Sequence, residues 1–148
     1  MIKTMSFNSR VNKELSMEIA NKYFDLIKPK ECYANIGRLI VNHKFARDFI
    51  NRDIKVIFGA VKLQDIRIDN LYIKHCFFQI DNKFVDPTLA NNDSLNEAKY
   101  IIIESMSVQR YLMLMEENNL DTSLGGYGIK LFTKATMNLL KRNILLIG

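Results

Sequence analysis

Residues 71–88, which read LYIKHCFFQIDNKFVDPT, decide the fold. The β-branched and aromatic residues of 71–80 predict a strand, and 83–85 predicts its antiparallel partner. Asp81-Asn82 lies between the two and favours a two-residue turn. Pro87 ends the pairing because it has no N–H to donate. The stretch therefore predicts a β-hairpin, around which the rest of the chain is arranged.

The segment before the hairpin predicts two helices and one strand. Apolar residues recur every four positions over residues 11–27, as on the buried face of an amphipathic helix. Pro29 is expected to end that helix. A second helix is expected from about residue 32 to 43, and a short β-rich pattern predicts a strand over 54–63.

The segment after the hairpin predicts one more strand and two helices. Three consecutive isoleucines within 100–104 suit a buried strand. Ser107 favours the start of a helix, since its hydroxyl can cap the first turn. Three glycines within 125–128 predict a flexible break before a basic helix over 130–142. The expected fold is a single α+β domain, residues 1–148, with N-terminal helices packed on an antiparallel sheet and helices at the C-terminal end.

Composition limits the class of protein. The chain has 148 residues, 48% of them hydrophobic, which suits one globular core. It holds no uninterrupted apolar run of about 18 residues, as a membrane-spanning helix needs. Polar residues follow Met1–Ser6 where a secretory signal would be apolar, so we expect a cytoplasmic protein with no membrane association. Both cysteines, Cys32 and Cys76, are then expected to be free thiols.

The net charge of +5 is unevenly distributed. Residues 1–52 hold ten Lys and Arg against five acids, and residues 129–148 hold four against none. The middle, residues 53–128, holds seven against eleven. One interpretation of this pattern is that the basic residues lie on solvated helix faces. The alternative is that the two basic ends fold into one patch that binds nucleic acid or an acidic protein.

Cys32 is the candidate nucleophile. It opens a predicted helix, where unpaired backbone N–H groups and the helix dipole favour a thiolate. A nucleophilic cysteine also needs a base, and the chain has only two histidines. His43 lies at the far end of the same predicted helix, about 16 Å away, whereas His75 lies in a strand that the fold can bring to Cys32. Cys76 faces the other side of that strand and is expected to pack in the core.

Asp86 is the candidate partner of His75. With a two-residue turn, the position opposite His75 is Thr88, and Asp86 lies two residues away on the same face. A loop of odd length would put it on the other face. A carboxylate in this position accepts the ring N–H of the histidine and fixes its tautomer.

The same segments resemble the papain-like and transglutaminase-like superfamily of cysteine enzymes, especially small bacterial and phage members. The match covers residues 31–89 and is carried by four motifs, Cys32-Tyr33-Ala34-Asn35, Val56-Ile57-Phe58-Gly59, Lys74-His75-Cys76-Phe77 and Asp86-Pro87-Thr88. The resemblance implies a papain-like core in which Cys32 is the nucleophile, His75 the general acid and base, and Asp86 the orienting carboxylate. It implies a thiol protease, deamidase or acyltransferase without a cofactor, acting on a protein or peptide.

The chain departs from this family at two places. Cys76-Phe77 replaces a small residue and Trp after the histidine, and no Gln precedes Cys32 to complete an oxyanion hole. The N–H of Cys32 would supply one donor, and Asn12, Asn21 and Tyr33 are equal candidates for the second. Asn35 lies one turn after Cys32 and would support either the catalytic loop or backbone groups within the fold.

Three functions follow as hypotheses. The first is a cysteine hydrolase or acyltransferase that acts on an amide through a thioester intermediate. The amide is a peptide bond, a glutamine side chain or an isopeptide link. The second is a non-catalytic module of the same fold that binds nucleic acid or an acidic protein through its basic ends. The third, a metal site of Cys32, His75 and Asp86, lacks the paired Cys or His spacing typical of such sites.

Overall fold

The computed structural model describes residues 11–64 and 67–148. Residues 1–10, for which we expect no secretory signal, lie outside the described residues. The helices are Lys13–Lys22 (α1), Cys32–Ile40 (α2), His43–Asp48 (α3), Val108–Glu117 (α4) and Gly125–Leu140 (α5). The strands are Ile54–Lys62 (β1), Leu71–Ile80 (β2), Lys83–Val85 (β3), Lys99–Ser107 (β4) and Leu145–Ile147 (β5), and a 3₁₀ turn covers Leu95–Glu97.

The hairpin of β2 and β3 forms with the predicted bounds and register. Ile80 pairs with Lys83, and Phe78 pairs with Val85. Both turn residues have positive φ, 50° at Asp81 and 68° at Asn82. This conformation twists the turn in the same sense as the strands, and Asp and Asn tolerate it well. The two-residue turn is therefore confirmed.

The sheet has the order β3-β2-β1-β4, and each neighbouring pair in it is antiparallel. The last strand, β5, pairs with the start of β2 in parallel. The outer edge of β2 thus meets β5 at 71–73 and β3 at 78–80. Between them, residues 74–77 pair with β1 on the inner side, but no described strand pairs with their outer side, which we call the open edge. It contains His75.

The two faces of the sheet carry different cores. The larger core lies under the helices and includes Cys76 and Phe78 from β2. The smaller one, on the opposite face, includes Phe77 together with Phe84 and Tyr100. The α+β class with helices on an antiparallel sheet is therefore confirmed. None of the helices in the described part of the chain is long and apolar enough to cross a bilayer.

Two helices are shorter than predicted. The first ends at Lys22, because Tyr23 leaves the helical region with φ −116° and ψ 35°, well before Pro29. The predicted helix 32–43 ends at Ile40. There the side chain of Asn42 accepts the N–H groups of the next turn and starts the separate helix α3.

The prediction of a flexible break at 125–128 is wrong. These residues form the first turn of α5. A carboxylate oxygen of Asp121 accepts the N–H of Gly125, at 3.1 Å, and supports that turn. A Cβ at Gly128 would lie 3.6 Å from the Phe58 ring, an ordinary van der Waals contact, so this turn of α5 lies directly over the sheet. The following apolar tail, 144–147, supplies β5.

Gly59 marks an irregularity where β1 meets β4. Phe58 pairs with Glu104 and Gly59 with Ile102, so β4 has one extra residue at this point. An added Cβ at Gly59 would lie 2.0 Å from the carbonyl oxygen of Ile101. The position therefore admits no side chain without a shift of the backbone.

We expect Gly59→Ala to lower the free energy of unfolding by about 3 kcal/mol, measured by urea denaturation, because the added methyl overpacks the sheet. Gly126→Ala is the matched control, since no atom lies within 4 Å of its added Cβ. That control should change stability by no more than about 1 kcal/mol. Equal losses in the two variants would contradict this account of the bulge.

Candidate active site

Cys32 is the first residue of α2 and is 8% exposed. The N-cap residue, Glu31, makes no side-chain capping bond, and its carboxylate pairs with Arg38 at 3.2 Å instead. The N–H at the first helical position has no acceptor within the helix. The thiol therefore lies at a helix end whose positive dipole no side-chain cap neutralises.

His75 and Asp86 lie together as the strand register predicts. Nε2 of His75 donates to Oδ2 of Asp86 over 2.8 Å. Both side chains are buried, with 5% and 0% of their surface exposed. Since Asp86 holds Nε2, the other ring nitrogen, Nδ1, remains for a second partner.

The pKa of His75 is raised from 6.5 to about 10. Burial alone would lower it, but the charge and the hydrogen bond of Asp86 outweigh burial. Cys32 adds to the increase through hydrogen bonding and charge. The structure thus brings the three predicted residues together, with His75 bonded to Asp86 and the Cys32 thiol close enough to act on the imidazole.

Two residues that the sequence analysis missed hold Asp86 in place. The hydroxyl of Tyr100 donates to Oδ2 of Asp86 over 2.8 Å. The backbone N–H of Asp86 donates to the Ser16 hydroxyl over 2.9 Å, and Oδ1 accepts the N–H of Leu89 over 3.2 Å. Tyr100 lies in a stretch that predicts a buried strand, and Ser16 lies on a predicted helix. The sequence around either residue therefore does not indicate its contact with Asp86.

Asn35 connects the two halves of the site. Its amide is fully buried and bonds both the N–H and the carbonyl of Lys28, each at 2.8 Å. Its Nδ2 also donates to the hydroxyl of Thr88 over 2.9 Å. It therefore bonds the backbone and also joins the loop before Cys32 to the segment after Asp86.

Tyr33 places its ring against Phe58 and Phe132, with centroids 6.0 and 6.1 Å away. Burial, then the charge of Cys32, then that of Cys76 raise its pKa well above the usual value. Its hydroxyl therefore keeps its proton at neutral pH.

The two asparagines considered as oxyanion donors lie in or next to α1 and have other roles or surroundings. The side-chain oxygen of Asn12 caps α1 by accepting the N–H of Leu15. Asn21 lies exposed on α1. Within 11–64 and 67–148, neither has a hydrogen bond to Cys32 or His75. His43, the histidine that the sequence analysis set aside, is exposed at the start of α3.

Cys76 packs in the larger core and is 1% exposed. Burial first, and then the charges of Cys32 and Asp86, raise the pKa of its thiol well above the usual value. Cys76 is therefore a neutral thiol at physiological pH, as expected of a core residue. The two cysteines have different environments although both are buried and free.

No family model matches this chain, and neither a curated protein nor a solved structure matches it. In the part of the chain that the structure describes, no group of His, Cys, Asp and Glu side chains is arranged to hold a metal ion. The chemistry of the site is therefore inferred from its own geometry.

We expect Tyr100→Phe to destabilise the protein by about 1–3 kcal/mol, because a buried carboxylate loses a donor. Tyr23→Phe is the control, since its hydroxyl donates to Asp48, a carboxylate that is partly exposed. The control should lose less than about 1 kcal/mol. Chemical denaturation of both variants measures the difference, and a larger loss in Tyr23→Phe would contradict the structural importance of Asp86.

The raised pKa of His75 predicts a pH-dependent stability. A group that binds its proton more tightly when folded contributes its full stabilisation below the unfolded pKa, 6.5, and loses it as pH rises towards about 10. The stability difference between the wild type and His75→Gln should therefore shrink between pH 6.5 and 10. His43→Gln, at an exposed histidine, is the control. A difference that grows with pH would contradict the assignment.

Proposed function

We propose that this protein is a cytoplasmic cysteine hydrolase or acyltransferase with a papain-like core that cleaves an amide of a protein or peptide substrate. The observation that supports the proposal most strongly is the buried His75–Asp86 hydrogen bond, together with the Cys32 thiol that acts on the same imidazole. A thiol, an imidazole and a carboxylate in this order form a nucleophile, a base and an orienting group.

The first half of the reaction uses Cys32 and His75. The Cys32 thiolate attacks the carbonyl carbon of the amide and forms a C–S bond, and the carbonyl electrons move onto the oxygen. The imidazolium of His75 then gives its proton to the leaving amine, and the C–N bond breaks. The product of this half is a thioester on Cys32 and a free amine.

The second half releases the acyl group. His75, now neutral, takes a proton from water, and the oxygen attacks the thioester carbon while the C–S bond breaks. A carboxylic acid leaves and the Cys32 thiolate is regenerated. With a substrate amine in place of water, the product is a new amide, so one site supports proteolysis, deamidation or transfer.

The negative oxygen of the intermediate needs hydrogen-bond donors. The N–H of Cys32 stands at the first helical position, where it has no intrahelical acceptor. The protonated Tyr33 hydroxyl, near the Cys32 sulfur, is the second donor in this proposal. Each such donor stabilises a transition state by about 3 kcal/mol in well-studied enzymes.

Iodoacetamide labelling followed by peptide mass spectrometry tests the proposal. At pH 6, Cys32 should react about tenfold or more faster than Cys76, because an imidazolium beside a sulfur stabilises the thiolate. Replacing His75 by Gln should remove most of this advantage. The His43→Gln variant should label like the wild type.

The folded state of each variant is checked by circular dichroism, so that loss of structure is not taken for loss of reactivity. Equal and slow labelling of both cysteines in the folded wild type would overturn the enzyme proposal. That result would favour the non-catalytic binding module.

A further inference from the structure

A pocket of about 280 Å³ is lined in part by the chain neighbours of two proposed catalytic residues, Cys32 and His75. Residues from α2, β2 and α5 line it, among them Tyr33, Lys74, Gly125, Gly128, Phe132 and Thr133. Pockets for whole drug-sized molecules measure about 300–1,000 Å³, so this one suits a single side chain of a larger substrate.

The pocket is adjacent to the site through two residues. Tyr33 directly follows Cys32, and the charge of Cys32 acts on its hydroxyl. Lys74 directly precedes His75 on the open edge of β2, and neighbouring residues of a strand point to opposite faces. A substrate whose amide meets Cys32 and His75 thus has this pocket beside it, on the helix-covered face.

The charge of the pocket comes from Lys74. Among the described residues that line it, Lys74 alone has a charged side chain. Its Nζ lies 5.7 Å from the centre of the Phe132 ring, and no carboxylate of the described residues lies within ion-pair distance of it. The half-buried Lys74 side chain therefore has an aromatic contact and no ion pair within 4.0 Å among the described residues, although Gly148 also lines the pocket and packs against the Lys74 backbone.

Asp121 does not neutralise the pocket. Asp121 lies close to Gly125, but one of its oxygens accepts the N–H of Gly125 and the other accepts bonds from Ser123. Its carboxylate thus supports the start of α5 and is not part of the pocket lining. Lys74 is therefore the charged side chain of the lining that an anionic group of a ligand would meet.

We propose that this pocket selects substrates with an acidic side chain, Glu or Asp, next to the amide that is cleaved. This inference rests on the proposed function, since it gives the substrate class of the same site. The aromatic walls of Tyr33 and Phe132 pack against the methylene groups of the side chain, and Lys74 pairs with its carboxylate. The same ammonium group repels Lys and Arg side chains.

Dipeptidyl chloromethyl ketones test the proposal without a known substrate. In these probes the sulfur of Cys32 displaces chloride and forms a thioether, so labelling needs no turnover. One probe series carries Glu, Gln or Lys at the residue next to the reactive ketone, and a second series carries them one residue further away. Rate constants for labelling of Cys32 are measured by mass spectrometry and divided by the rate of the all-Ala probe.

In at least one series, the wild type should label about two- to fivefold faster with Glu than with Gln, which is the range of one partly exposed ion pair. The Lys probe should label most slowly. Lys74→Gln should abolish the preference for Glu. Lys83→Gln is the matched control, since it removes an exposed lysine of the hairpin and changes the net charge by the same amount as Lys74→Gln. This control should keep the preference for Glu.

The outcomes separate this inference from the proposed function. Rapid labelling of Cys32 with equal rates for Glu and Gln in both series would overturn the acidic preference and leave the enzyme proposal standing. A preference that survives in Lys74→Gln would overturn the role of Lys74. Failure of every probe and of iodoacetamide to label Cys32 in the folded protein would overturn both.

Discussion

The buried hydrogen bond between His75 and Asp86 constrains the whole hairpin region. A carboxylate without surface exposure needs donors, because an unpaired buried charge costs about 3–5 kcal/mol. His75, Tyr100 and the N–H of Leu89 supply them. These donors come from β2, β4 and the segment after β3, so one carboxylate fixes the relative positions of several elements.

The two-residue turn makes this interaction available, and it could be predicted. Asp81-Asn82 tolerates positive φ at both positions, and the resulting register puts Asp86 on the His75 face. A helix that starts at Cys32 follows as clearly from the local sequence. The candidate residues could therefore be predicted because they depend on a short-range turn and on the apolar spacing of one helix.

The features that sequence reasoning missed depend on contacts between distant segments. Asn35 bonds to Thr88, 53 residues away, and Tyr100 bonds to Asp86 from a different strand. The glycines of α5 read as a break because their helical state depends on Asp121 and on close packing against Phe58. β5 pairs in parallel with a strand more than 70 residues earlier, which no local pattern indicates.

Nitrogen NMR of the His75 ring tests the central claim most directly, since it reports the proton on each ring nitrogen. The structure predicts that both Nδ1 and Nε2 carry a proton throughout the neutral range, and that the ring titrates only as pH approaches about 10. His43, exposed on α3, provides an internal comparison in the same spectrum. A His75 ring that loses its proton near its ordinary value, 6.5, would contradict the imidazolium–carboxylate pair and the catalytic role proposed for it.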